Sequence, residues 1–236
     1  MDVRKGCCLM GLPVLILGES GTGKSASLRN FSKGDVAVIN VAGKPLPFRS
    51  ELGAIVTDDY GKITDALLRM KTPSAVVDDA QYLLANEFMR RSGELGYQKF
   101  TDMAKNYWTL IAKTVAKDMP ADKIVYFLSH IERDQNGNEK VKTIGKLLDE
   151  KITVEGLFTI VLKTHVEDGK YTFFTQNSGS DTVKSPIGMF ADLQIDNDLK
   201  MVDNIIRDYY GITVKQESKQ ENKEESKNEK KEGKEE

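Results

Sequence analysis

Cysteine is almost missing from this sequence: Cys7 and Cys8 are the only two, and they are adjacent. Adjacent residues are poor disulfide partners, so neither a disulfide framework nor a cysteine-rich zinc site is expected. No apolar run approaches the ~20 residues that span a bilayer. The opening residues, MDVRKGCCLMG, lack the apolar core of a signal peptide. A cytoplasmic protein with no membrane association is expected. An excess of one charge is also missing. Lys and Arg number 34 against 36 Asp and Glu, for a net charge of −2. No global positive field collects nucleic acid, so any such surface must be local. What is present suits a folded chain. The 236 residues, 39% hydrophobic and 30% charged, suffice for one large α/β domain.

The most informative stretch is GESGTGKS, Gly18 to Ser25. It has the G-x-x-x-x-G-K-[ST] form of a phosphate-binding P-loop. Gly18, Gly21 and Gly23 allow a tight turn whose amide N–H groups point inward at an anion. The cradle is predicted to comprise Gly18, Glu19, Ser20, Gly21, Thr22, Gly23, Lys24, Ser25 and Ala26. Lys24 supplies charge for the β- and γ-phosphates of ATP, and the Ser25 hydroxyl ligates magnesium. A helix beginning near Gly23 is expected to turn the positive end of its dipole to the same anion. The apolar run from Leu12 to Leu17 reads as a buried parallel strand leading into the loop.

Short apolar runs alternate with helical segments along the chain, the pattern of a mostly parallel sheet covered by helices. Strands are predicted at Pro13–Leu17, Val36–Asn40, Ala54–Thr57, Ala75–Asp78 and Ile124–Ser129. A helix over Tyr97–Lys117 carries Phe100, Met103, Ala104, Tyr107, Trp108, Ile111, Ala112 and Val115 on one face, read as core packing. Phe158–His165 and Tyr171–Gln176 flank a Glu167–Lys170 turn and predict a late antiparallel hairpin. Leu199–Tyr210 reads as a last helix stopped by Gly211. The domain is therefore placed at residues 1–213. Residues 214–236 read as a disordered charged tail. From Lys215 the chain holds seven Lys, eight Glu and no apolar residue, with like charges recurring at i, i+4.

A P-loop enzyme also needs a carboxylate on a second buried strand to hold the magnesium shell. Asp78, at the end of SAVVD, is the candidate. Asp79 is then placed to orient or deprotonate the attacking water, with Asp58 or Asp59 as alternative bases on the preceding strand. Ser129 and His130 end the IVYFLSH run, where a sensor of the γ-phosphate belongs; Ser129 is the stronger candidate. His165, in the hairpin, has no expected catalytic part. The NVAGKPLPFRS stretch, Asn40 to Ser50, reads either as a functional loop near the nucleotide or a neighbouring subunit, or as a rigid connector. Lys140, Lys142, Lys146 and Lys151 make the segment after the sensor strand locally basic, suited to DNA or simply a surface loop.

Five segments together carry a family resemblance: GESGTGKSASLRN, INVAGKPLPFR, VVDDAQYLLANEFMRR, KTIGKLLDEKITVEGLFTIVL and TQNSGSDTVKSPIGMF. Across residues 12–212 the chain resembles bacteriophage-encoded P-loop ATP-binding proteins, which are similar to RecA-like recombinase cores and related to phage single-strand annealing ATPases. The resemblance implies a RecA/AAA-like α/β fold and a Mg-dependent ATPase in phage DNA recombination or replication. It further implies single-stranded DNA binding, a homo-oligomer, other phage recombination or replication proteins as partners, and the cytoplasm of the bacterial host. Asp79 departs from the pattern, in which Glu follows the magnesium-shell Asp. ATPases of this class usually complete the site with a cation from a neighbour, for which Arg49, Arg133, Lys146 and Lys184 are candidates. The rival readings are an AAA-type protein remodeller or helicase loader, a small-molecule phosphotransferase, and a regulatory nucleotide switch with negligible turnover.

Overall fold

Residues buried on both faces of a sheet must be apolar at every position, and the first strand, β1 (Leu12–Gly18), is buried throughout. In the computed structural model, which describes residues 10–213, β1 lies inside a nine-stranded sheet. The other strands are β2 (Val36–Asn40), β3 (Ala54–Val56), β4 (Ser74–Asp78), β5 (Ile124–Arg133), β6 (Glu139–Val141), β7 (Ile160–Glu167), β8 (Lys170–Phe174) and β9 (Gln194–Asp196). The helices are α1 (Tyr60–Arg69), α2 (Tyr82–Arg90), α3 (Gln98–Thr114) and α4 (Leu199–Tyr210). The expected tail, residues 214–236, lies outside the described residues.

The spatial order is β3-β2-β4-β5-β1-β7-β8-β9, with β6 paired to the end of β5. The pairings from β3 through β7 are parallel, while β7–β8 and β8–β9 are antiparallel. The fold is thus α/β with a mostly parallel mixed sheet and the late hairpin expected. Strand β5 is interposed between the strand that leads into the loop and the strand that ends in Asp78.

Alternation along the central strands divides the core in two. Leu15, Leu17, Val77, Val125 and Phe127 face α1, α2 and α3. Val14, Ile16, Val76, Tyr126 and Leu128 face the other side, with Leu28 and, from α4, Val202 and Ile206. Each helix turns its apolar stripe to one of these layers.

Two expectations are corrected. The segment after the loop is no α-helix but a six-residue 3₁₀ turn, Ser25–Asn30. Ser27 gives its hydroxyl to the Lys24 carbonyl at 2.6 Å, and serine bonds of this kind compete with helix hydrogen bonding. No long dipole therefore backs the loop. In α3 the buried stripe is Lys99, Met103, Ala104, Tyr107, Leu110, Ile111 and Thr114, which keeps Met103, Ala104, Tyr107 and Ile111 of the expected face and centres on the line of Tyr107. Trp108 lies one residue, about 100°, off that line and is 43% exposed.

Candidate functional site

In parallel α/β sheets the C-terminal strand ends gather the polar groups that bind ligands. Here Gly18 pairs with His130 across β1–β5, and Asn40 with Asp78 across β2–β4. Around them opens a cleft of about 530 Å³. It is lined by Ser20, Gly21, Gly23, Lys24, Ser25, Ala26, Asn40, Lys44, Pro45, Pro47, Asp78, Asp79, His130 and Tyr171.

The loop is built by close contacts. A Cβ on Gly18 would stand 1.8 Å from Thr164 Oγ1 on β7, so this glycine is required by proximity. Gly21 and Gly23 have φ of 80° and 94°, the left-handed region open to glycine. The hydroxyls of Thr22 and Thr164 meet at 2.6 Å, and Thr22 also donates to the Glu19 carbonyl. Gly18, Glu19 and Thr22 thus form the back of the loop. Glu19 pairs with Arg133 of β5 at 3.0 Å.

Lys24 is buried, and its ammonium donates to the carbonyls of Gly18 and Glu19 at 2.9 and 2.8 Å. Burial lowers its pKa to about 8 against the pull of Asp79 and Asp78. Ser25 Oγ donates to Asp78 Oδ1 at 2.8 Å. Burial raises the Asp78 pKa, and the Ser25 hydrogen bond opposes the rise.

Asp79 adopts φ 59°, an unusual conformation for a residue with a side chain. The turn lets Ala80 N reach Leu128 O at 2.8 Å and starts the path to α2. The Asp79 carboxylate lies 3.6 Å from His130 Nε2 and 3.4 Å from Lys44 Nζ. The His130 ring, followed by Lys44, holds its pKa below the ordinary carboxylate range.

The structure therefore brings together Lys24, Ser25, Asp78, Asp79 and His130. It does not bring in Ser129, which is fully buried and outside the cleft lining. Its buried hydroxyl neighbours that of Tyr107 on α3. Strand alternation turns Ser129 to the helical layer and gives His130 to the cleft. Asp58 binds Asn86 and Arg90, and Asp59 caps α1 by accepting from Lys62 N at 2.8 Å. Neither lines the cleft.

Asn40 and Lys44 were expected only as part of a stretch that is either a functional loop or a connector, without individual roles, and Tyr171 was not expected at the site. Asn40 receives Gly43 N at 2.8 Å and donates to the Lys44 carbonyl, folding that loop over the cleft. Tyr171 comes from β8, and its ring lies 2.8 Å from where a Gly23 Cβ would sit. The prolines beside Lys44 were the only local sign of a shaped loop; nothing local marked Tyr171.

Among the described residues, no group of three or more His, Cys, Asp or Glu could hold a metal ion alone. Magnesium carried by a nucleotide asks for less: one or two protein ligands beside phosphate and water oxygens. The Ser25–Asp78 pair fits that requirement.

The expected basic segment folds as the β5–β6 hairpin followed by one π-helical turn, Leu147–Lys151. Lys140 pairs with Asp149 and Glu132, and Lys146 lies 3.9 Å from Glu150. Of the proposed neighbour-facing cations, Arg133 is bound to Glu19 and Glu139 within the chain. Arg49 is exposed and Lys184 half-buried. Among the described residues, no helix is long and apolar enough to cross a membrane. No protein-family model matches the chain, and a search of curated proteins finds no match.

Proposed function

We propose that this chain is a RecA/AAA-type P-loop ATPase, of the bacteriophage ATP-binding kind its motifs resemble, acting with single-stranded DNA. The observation that carries the reading is the 2.8 Å Ser25–Asp78 contact beside the buried Lys24. It joins residues 53 positions apart, one opening the 3₁₀ turn after the loop and one ending β4, in the pairing that a magnesium–nucleotide site requires. The interposed β5 agrees with the additional-strand architecture of such ATPases.

In this reading the loop amides and Lys24 bind the β- and γ-phosphates, and Asp79 orients the water that attacks the γ-phosphorus. The bond to the β,γ-bridging oxygen breaks, giving ADP, phosphate and a proton. Bound magnesium supplies charge neutralisation for the phosphate oxygens. Ser25 and Asp78 would hold it.

Single-stranded DNA as partner rests on the family resemblance and on exposed Lys142, since Lys140 and Lys146 already face Asp149, Glu132 and Glu150; the Arg133–Glu19 bridge ties that hairpin to the loop. Exposed Met89, Leu95 and Tyr97, near the α2–α3 connection, suit contacts in a homo-oligomer. The test is ATP hydrolysis with and without single-stranded DNA, with particle size followed in the same samples. DNA-stimulated turnover by an assembled species is expected. ATP hydrolysis indifferent to DNA points to protein remodelling, and phosphate transfer only to an added acceptor points to a phosphotransferase.

A further inference from the structure

Lys44 lies in the Asn40–Ser50 stretch, expected as either a functional loop or a rigid connector, and it lines the cleft with Lys24. Its loop is fixed at the backbone. Asn40 holds both Gly43 N and the Lys44 carbonyl. Gly43 turns the chain at φ 68°, and Pro45 and Pro47 stiffen the residues after it. The side chain reaches outward from this fixed backbone. It is 63% exposed, lies 3.4 Å from Asp79 Oδ2, and passes 4.9 Å from the centre of the Tyr82 ring. Its charge is felt unfavourably by Lys24. Two cations thus converge on one cleft, and an anion placed between them would relieve their repulsion. A long lysine stem on a pinned backbone can swing from a carboxylate to a phosphate without moving the loop.

We infer that Lys44 is a second phosphate-facing cation, supplied in cis, which rests on Asp79 in the nucleotide-free protein and transfers to the γ-phosphate when a nucleoside triphosphate binds. The inference rests on the nucleotide-binding reading above. It makes the 41–53 loop a sensor of the third phosphate. ADP is too short to draw the ammonium away, so Lys44 stays on Asp79; ATP draws it off and leaves Asp79 free to face water. It also places in the same subunit a cation that ATPases of this kind often borrow from a neighbour.

The test compares wild type, Lys44→Gln and Lys44→Arg. Affinities for ADP and for a non-hydrolysable β,γ-imido ATP analogue are measured with and without magnesium, alongside turnover. Lys44 is exposed on a loop, so these variants are expected to fold. In Lys44→Gln, affinity for the triphosphate should fall roughly tenfold and ADP affinity stay within about threefold. Turnover should drop roughly 10–10²-fold; Lys44→Arg should recover part of both. An unchanged triphosphate preference in Lys44→Gln overturns the inference. So does faster turnover, which would make Lys44 only a restraint on Asp79. Mixing Lys44→Gln with Lys24→Ala subunits checks the cis assignment: recovery of turnover means that Lys44 serves a neighbour's site and overturns it. If wild type binds neither nucleotide, the nucleotide reading itself falls, an outcome distinct from any difference among the variants.

Discussion

At the N-terminal ends of the strands, Arg207 and Asp203 of α4 are 7% and 2% exposed. Arg207 donates to Asp203, to the carbonyls of Asp122 and Pro73, and to Ser74 Oγ. Asp203 also accepts from Ser74 and from Tyr126. Burial and the adjacent Asp203 push the Tyr126 hydroxyl well above its ordinary range. At the C-terminal ends, Lys24 and Asp78 are equally buried, at 6% each, but they are not bonded to each other. Lys24 has only loop carbonyls, and Asp78 has the Ser25 hydroxyl. The first cluster is a closed ion pair that fastens α4 to the sheet. The second keeps opposite charges apart around open space. Buried charge is costly unless paired, and the cluster left open is the one that the proposed nucleotide site uses.

That contrast breaks most sharply at Lys24. Lys24→Ala should reduce ATP turnover by about 10³-fold or more with little change in melting temperature, read by phosphate release and thermal unfolding. Normal turnover would remove the cleft from consideration as a nucleotide site. Asp79→Asn should keep nucleotide binding and slow hydrolysis by about 10²–10⁴-fold. It tests whether the strained turn at Asp79 serves the water or only the fold.

At the opposite end the readouts should exchange. Arg207→Ala leaves Asp203 buried without its cation and should cost about 3–5 kcal/mol, seen in denaturant unfolding. Nucleotide affinity of the folded fraction should be unchanged. A loss of affinity without a loss of stability would erase the distinction between the two ends.

The smallest effect is expected at Asp58, whose pKa the Arg90 hydrogen bond lowers. A depressed carboxylate pKa stabilises the fold above the unfolded value near 4. That contribution is lost as pH falls below it. Asp58→Asn should cost about 0.5–1 kcal/mol at neutral pH, cost less in acid, and leave turnover intact. A collapse of turnover would return Asp58 to the candidate bases.

Legibility in the sequence followed how local each feature is. Strand β2 and helix α4 have the expected bounds, since an apolar run and a capped amphipathic stripe are written in neighbouring residues. The 3₁₀ turn after the loop was missed because Ser27's hydroxyl competes with the helix in a way that periodicity does not record. Trp108 was misplaced because a stripe's centre shifts when Leu110 and Thr114 join it.

The sequence by itself determined the alternation of strands and helices, the phosphate-loop motif, and the acidic pair that ends a buried strand. These depend on residue type and spacing over a few turns of chain. Only the tertiary structure decided that β5 lies between β1 and β4, and that His130 rather than Ser129 enters the cleft. It also decided that Lys44 and Tyr171 join residues of the loop from 20 and nearly 150 positions away. Those outcomes depend on which strand pairs with which and on the face each residue takes in that register, and a one-residue shift reverses the face.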